Sequence, residues 1–101
     1  MATYTAIRAK TATLTGTTVD TVTLSGLGRY NQVEVVNVSG ATALYVRWGE
    51  NTATAPTAGG DDCYVVLAGG SLTFPTGGGL SQVVVKVIGN GNQFNVAAFD
   101  A

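Results

Sequence analysis

The chain has 101 residues, 46% of them apolar and 11% charged, with five basic residues against six acidic ones, one Cys and no His. A single domain of this length buries about two-thirds of the surface its unfolded chain exposes, so one core can form without staples. Near-neutral charge with scattered basic residues excludes a run of phosphate contacts, and with it nucleic acid as a partner; no apolar run approaches the roughly 20 residues of a membrane-spanning helix. The lone Cys63 cannot make an internal disulfide, and the stretch from Met1 to Arg8 has no apolar signal core behind a basic start. The expectation is a protein made and folded in a reducing cytoplasm, with no membrane partner.

Thr (15) and Val (14) dominate the composition. β-Branched side chains lose rotamer freedom in a helix and suit a pleated sheet, and Gly recurs too often for a long helix, so an all-β domain without α-helix is predicted. In chain order, residues 1–15 alternate Ala and Thr with only Tyr4, Ile7 and Leu14 as large apolar side chains. They read as an N-terminal arm or edge strand, and residues 16–101 as a β-sandwich domain. Thr17 to Ser25 places Val22 and Leu24 on one face. Tyr30 to Val38 changes its apolar parity between Val33/Val35 and Val36/Val38, which predicts a bulge near Val35 or Val36. Ala43 to Gly49 alternates Leu44, Val46 and Trp48 against Tyr45 and Arg47.

The segment Asn51 to Asp62, rich in Thr, Ala and Gly with Pro56, reads as a surface loop. Cys63 to Leu67 and Ser71 to Phe74 read as short strands joined by Ala68-Gly69-Gly70. Leu80 to Ile88 and Gln93 to Phe99 flank Asn90-Gly91, the strongest short hairpin signal. A two-residue turn there predicts Val87 opposite Phe94, Val85 opposite Val96 and Val83 opposite Ala98 on the core face, with Lys86 opposite Asn95 and Ile88 opposite Gln93 on the other. The sum is a single antiparallel β-sandwich or small barrel of about seven or eight short strands with an extended N-terminal arm.

Little in this chain supports catalysis. Without His, neither a Ser-His-Asp nor a Cys-His arrangement can form, and zinc lacks its usual ligands. No Lys or Arg lies within ten residues of Cys63, so it reads as a small buried strand residue. Asp61 and Asp62 would diverge on an extended chain, unlike a converging glycosidase pair, and no calcium-loop spacing surrounds them; they read as a solvated turn. The pairs Gly59-Gly60 and Gly69-Gly70 and the run Gly77-Gly78-Gly79 precede no helix and read as turns rather than phosphate cradles. No enzyme activity, cofactor or metal is expected. Tyr45, Arg47 and Tyr64 are candidates for a surface-binding face, although alternation puts Trp48 on the core side, away from Tyr45.

The runs Val35-Val36-Asn37-Val38-Ser39-Gly40, Ala43-Leu44-Tyr45-Val46-Arg47-Trp48-Gly49, Pro56 through Gly70 with its Gly59-Gly60-Asp61-Asp62, and Val84-Val85-Lys86-Val87-Ile88-Gly89 resemble small virion proteins of tailed bacteriophages. The resemblance covers roughly residues 33–99. It implies a non-enzymatic structural protein of the capsid decoration or cement kind: a β-domain, often a homotrimer, on the outside of the head, where it bridges major capsid protein subunits. Neck or tail components and fibre-associated glycan-binding modules are the alternatives. Candidate capsid contacts are Tyr4, Ile7 and Arg8 on the arm, which extended could reach about 50 Å, and Asp61 and Asp62 in the loop.

Overall fold

The computed structural model describes residues 1–25, 27, 30–76 and 82–99. Among them lie nine strands and no helix: β1 (Thr3–Ala6), β2 (Ala9–Thr13), β3 (Asp20–Ser25), β4 (Gln32–Ser39), β5 (Leu44–Gly49), β6 (Tyr64–Val66), β7 (Ser71–Pro75), β8 (Gln82–Ile88) and β9 (Gln93–Phe99). They form a β-sandwich of two sheets, ordered β1-β3-β8-β5-β6 and β2-β9-β4-β7. The count exceeds the expected seven or eight because the N-terminal segment supplies two strands. The readings of Gly77-Gly78-Gly79 as a turn and of Leu80 as a strand start lie outside the described residues.

The pairing has a simple plan. β2 pairs with β9, β3 with β8, β4 with β7 and β5 with β6, all antiparallel. The chain from β2 onward is thus one long nested hairpin whose tip is the loop after β5. Rolling that ribbon up brings β9 against β4 and β8 against β5, which is the arrangement of a jelly roll. β1 is added in parallel to the outside of β3.

One consequence corrects the C-terminal hairpin. β8 and β9 do not pair with each other; they lie at the centres of opposite sheets, and the Gly89 to Asn92 segment arches between them. Val83, Val85 and Val87 do face the core, as do Phe94, Val96 and Ala98, but they meet across the sandwich rather than side by side. The arch is shaped by Asn92, fully buried, whose Oδ1 accepts the Asn90 N–H at 2.8 Å. A Cβ on Gly89 would stand 2.5 Å from that same oxygen, so only glycine lets the chain pass over it.

β4 carries a second correction. Its inward alternation runs unbroken through Val33, Val35 and Asn37, leaving Val36 half-buried and Val38 exposed. The irregularity falls between Asn37 and Ser39, not near Val35 or Val36. Asn37 takes the core position because its amide is satisfied there, donating to the carbonyls of Thr42 (3.0 Å) and Val66 (3.2 Å) and accepting from Asn92 Nδ2 (3.0 Å); buried polar groups persist where they are bonded.

The core itself gathers Leu14, Val22, Leu24, Leu27, Leu44, Val46, Val66 and Phe74 with the inward residues of β4, β8 and β9. Trp48 packs at its margin, its ring stacked on Phe74 at 4.5 Å between centroids. Beyond Trp48 the strand ends in a tight turn: a Cβ on Gly49 would fall 2.0 Å from the Thr52 carbonyl oxygen. Gly49→Ala is therefore expected to cost about 1–3 kcal/mol, as forced backbone shifts do, and a thermal melt of the variant beside the parent checks it.

Candidate functional site

The ladder between β5 and β6 ends at the Val46–Tyr64 pair. Beyond it the two chains part, and residues 57–63 fold back beside the end of β5 to leave a cleft of about 440 Å³ lined by Arg47, Trp48, Asp61, Asp62, Cys63 and Tyr64. The loop is held by short local bonds. Gly60 N–H donates to the Thr57 carbonyl at 2.8 Å, the Cys63 thiol donates to the Gly60 and Thr57 carbonyls at 3.4 and 3.6 Å, and Arg47 Nη1 meets Asp62 Oδ2 at 2.6 Å. An exposed ion pair adds little stability; its role here is to fix the orientation of two planar polar groups at the cleft wall.

The Cys63 reading is corrected in the same place. Cys63 precedes β6 and is only half-buried, because the turn that needs its thiol as a donor keeps it out of the sheet. Asp61 and Asp62 lie in a turn and are exposed. Asp62 is held by Arg47 across the chain rather than by its own backbone.

The other candidates are distributed over the molecule. Tyr45 is on the outer face of β5, in register with Ile88 and Val65, and borders a separate hollow of about 260 Å³ with Thr17, Thr42, Ala43, Ala58, Gly89 and Asn90. Tyr4 is in β1, at the far edge of the five-stranded sheet from β6, whereas the Arg8 carbonyl accepts the Ala98 N–H of β9 in the other sheet at 2.8 Å. Tyr4 packs against the core with Lys10 Nζ 4.8 Å from its ring centroid, and the Arg8 guanidinium sits 5.1 Å from the Tyr30 ring centroid. Ile7, between β1 and β2, is 75% exposed. The structure thus joins Arg47, Asp61, Asp62 and Tyr64 into one site and leaves Tyr45, Tyr4, Ile7 and Arg8 outside it. Trp48 and Cys63 are cleft residues that strand alternation did not reveal; the tight turn implied by Gly59-Gly60 just before β6 was the available sign that the loop doubles back.

No protein-family model matches the chain, and no curated protein does. Solved structures share its fold. The pre-peptidase C-terminal domain of a collagenase from Bacillus anthracis superposes with a TM-score of 0.55 at 12% identity, over 97% of this chain and 94% of that one. PliG of Aeromonas hydrophila, a periplasmic inhibitor of g-type lysozyme, gives 0.54 at 11% identity over 98% of both chains. A de novo designed double-stranded β-helix gives 0.52 at 13% identity over 90% of this chain and 97% of that one. At such identities the likeness is one of fold alone, and a fold of this kind carries many unrelated functions.

Proposed function

We propose that the chain is a non-enzymatic structural protein of a tailed-phage virion, a decoration protein that binds the outside of the head and bridges major capsid protein subunits. The sequence resemblance over residues 33–99 motivates this reading, and one structural observation supports it. The N-terminal segment provides an edge strand to each sheet, β1 to one and β2 to the other, and exposes Ile7 at the corner between them. Open edges can extend a neighbour's sheet through main-chain hydrogen bonds, with a side-chain anchor giving selectivity. Repetition over a lattice, or within a homotrimer, turns weak single contacts into stable attachment. Synthesis in the bacterial cytoplasm and assembly onto the head surface follow from the same reading.

Deleting residues 1–13 would remove two edge strands together with any contact, so a point substitution is the cleaner test. Ile7→Asp is expected to fold with an unchanged urea midpoint, since Ile7 supplies no core side chain, yet to lose most of its occupancy when added to purified heads assembled without the chain. Occupancy equal to the parent's would remove the arm from the contact. Density for the chain at the neck or tail of the particle in an electron cryomicroscopy map would overturn the head assignment.

A further inference from the structure

We propose that the cleft formed by Arg47, Trp48, Asp61, Asp62 and Tyr64 is a binding site for a neutral saccharide. This does not depend on a capsid role and concerns the opposite edge of the five-stranded sheet from β1.

Charge narrows the ligand class first. Two carboxylates against one guanidinium line the cleft, so an anion such as a phosphate or sulfate would face Asp61 and Asp62. A cation would compete with Arg47, which already holds Asp62 at 2.6 Å, and would meet the guanidinium's like charge. What remains is a neutral ligand able both to donate and to accept. Hydroxyl groups do both, whereas a guanidinium only donates and an ionised carboxylate only accepts; a pair of neighbouring hydroxyls can serve the two together.

Shape and preorganisation narrow it further. The volume of about 440 Å³ lies within the range of roughly 300–1,000 Å³ for small-molecule sites, enough for one or two sugar rings. Tyr64 is 52% exposed and offers an aromatic surface for the C–H face of a pyranose, with its hydroxyl as a polar handle. Trp48 lines the cleft and its ring is held by stacking on Phe74. The thiol and backbone bonds of residues 57–63 and the Arg47–Asp62 pair set the polar groups before any ligand arrives, and groups already ordered need not be ordered on binding.

Trp48 is the sole Trp, so its emission reads the cleft directly. Titration with neutral oligosaccharides of glucose, galactose and N-acetylglucosamine is expected to give a saturable change in Trp48 emission for at least one of them, with a Kd of roughly millimolar order. Tyr64→Ala should keep its urea midpoint while weakening that binding about tenfold. Tyr45→Ala, outside the cleft, should leave binding unchanged. No saturable change up to about 10 mM with any of the three series would overturn the proposal. So would tighter binding of a lysine oligopeptide, lost in Asp61→Asn, which would make the cleft a receptor for a cationic partner.

Discussion

Val85→Asp is expected to abolish cooperative folding. Val85 is fully buried in β8, the central strand of the five-stranded sheet, flanked in register by Val22 and Trp48. A carboxylate there has no cationic partner in the apolar cluster around it, and an unpaired buried charge costs several kcal/mol. Since a small domain has only about 5–15 kcal/mol in total, that loss removes most or all of it. Loss of the sigmoidal urea transition followed by far-UV circular dichroism checks this; a soluble variant with the parent's midpoint would show that Val85 does not face the core. The neighbouring Lys86→Asp supplies the contrast. Lys86 is on the outer face, in register with Thr21 and Arg47, and its replacement should shift stability by no more than about 0.5 kcal/mol.

Which faces of β8 and β9 are buried was legible from alternation alone, and which strands are their neighbours was not. Val83, Val85 and Val87 against Phe94, Val96 and Ala98 satisfy period-two alternation equally well in a hairpin, where both sets share one face of one sheet, and in an arch, where they oppose each other across a core. Asn90-Gly91 tips the sequence reading toward the hairpin because turn statistics assume that the ladder continues to the turn. The deciding interactions come from residues distant in sequence: Gly91 N–H donates to the Gly16 carbonyl at 2.9 Å and Leu14 N–H to the Asn92 carbonyl at 2.8 Å. The same holds for Asn37, whose burial depends on partners at Val66 and Asn92 that no local pattern encodes.

The N-terminal segment and the cleft illustrate two further limits of local pattern. Few core side chains occur in residues 1–15, which reads as an arm or an edge strand. Main-chain bonds need no apolar side chain, however, and the segment is tied down by them: Thr21 N–H donates to the Ala2 carbonyl at 2.9 Å, and Ala2 N–H donates to the buried Asp20 at 3.0 Å. In the cleft, Arg47 and Tyr64 were legible as surface-binding candidates on two separate strands. Their convergence with Asp61 and Asp62 depends on a loop whose return path is set by Gly60, Cys63 and the Arg47–Asp62 pair.

Asn92→Ala is expected to destabilise the fold by about 3 kcal/mol. Asn92 Nδ2 donates to Asn37 Oδ1 at 3.0 Å and to the Thr42 carbonyl at 2.8 Å, while its Oδ1 accepts from Thr42 Oγ1 at 3.0 Å and from Asn90 N–H at 2.8 Å. One side chain thereby links the β8–β9 arch to the β4–β5 corner. Through Asn37 the link extends to β6 and to the turn after it, whose Gly70 carbonyl accepts the Asn37 N–H at 3.0 Å. Truncation leaves Asn37 Oδ1 buried without its donor, a loss of about 1–3 kcal/mol, and opens a void where the amide packed; Thr42 and Asn90 are exposed and can turn to water. Thr42→Val, which removes one partly buried bond, should cost about 1 kcal/mol. Asn92→Asp keeps both acceptor contacts but sets carboxylate oxygens against Asn37 Oδ1 and the Thr42 carbonyl, and should be at least as destabilising as Asn92→Ala. Urea midpoints for the three variants check the order. An Asn92→Asp variant as stable as the parent would mean that the two donated bonds contribute nothing, and that the apolar faces alone hold the arch in place.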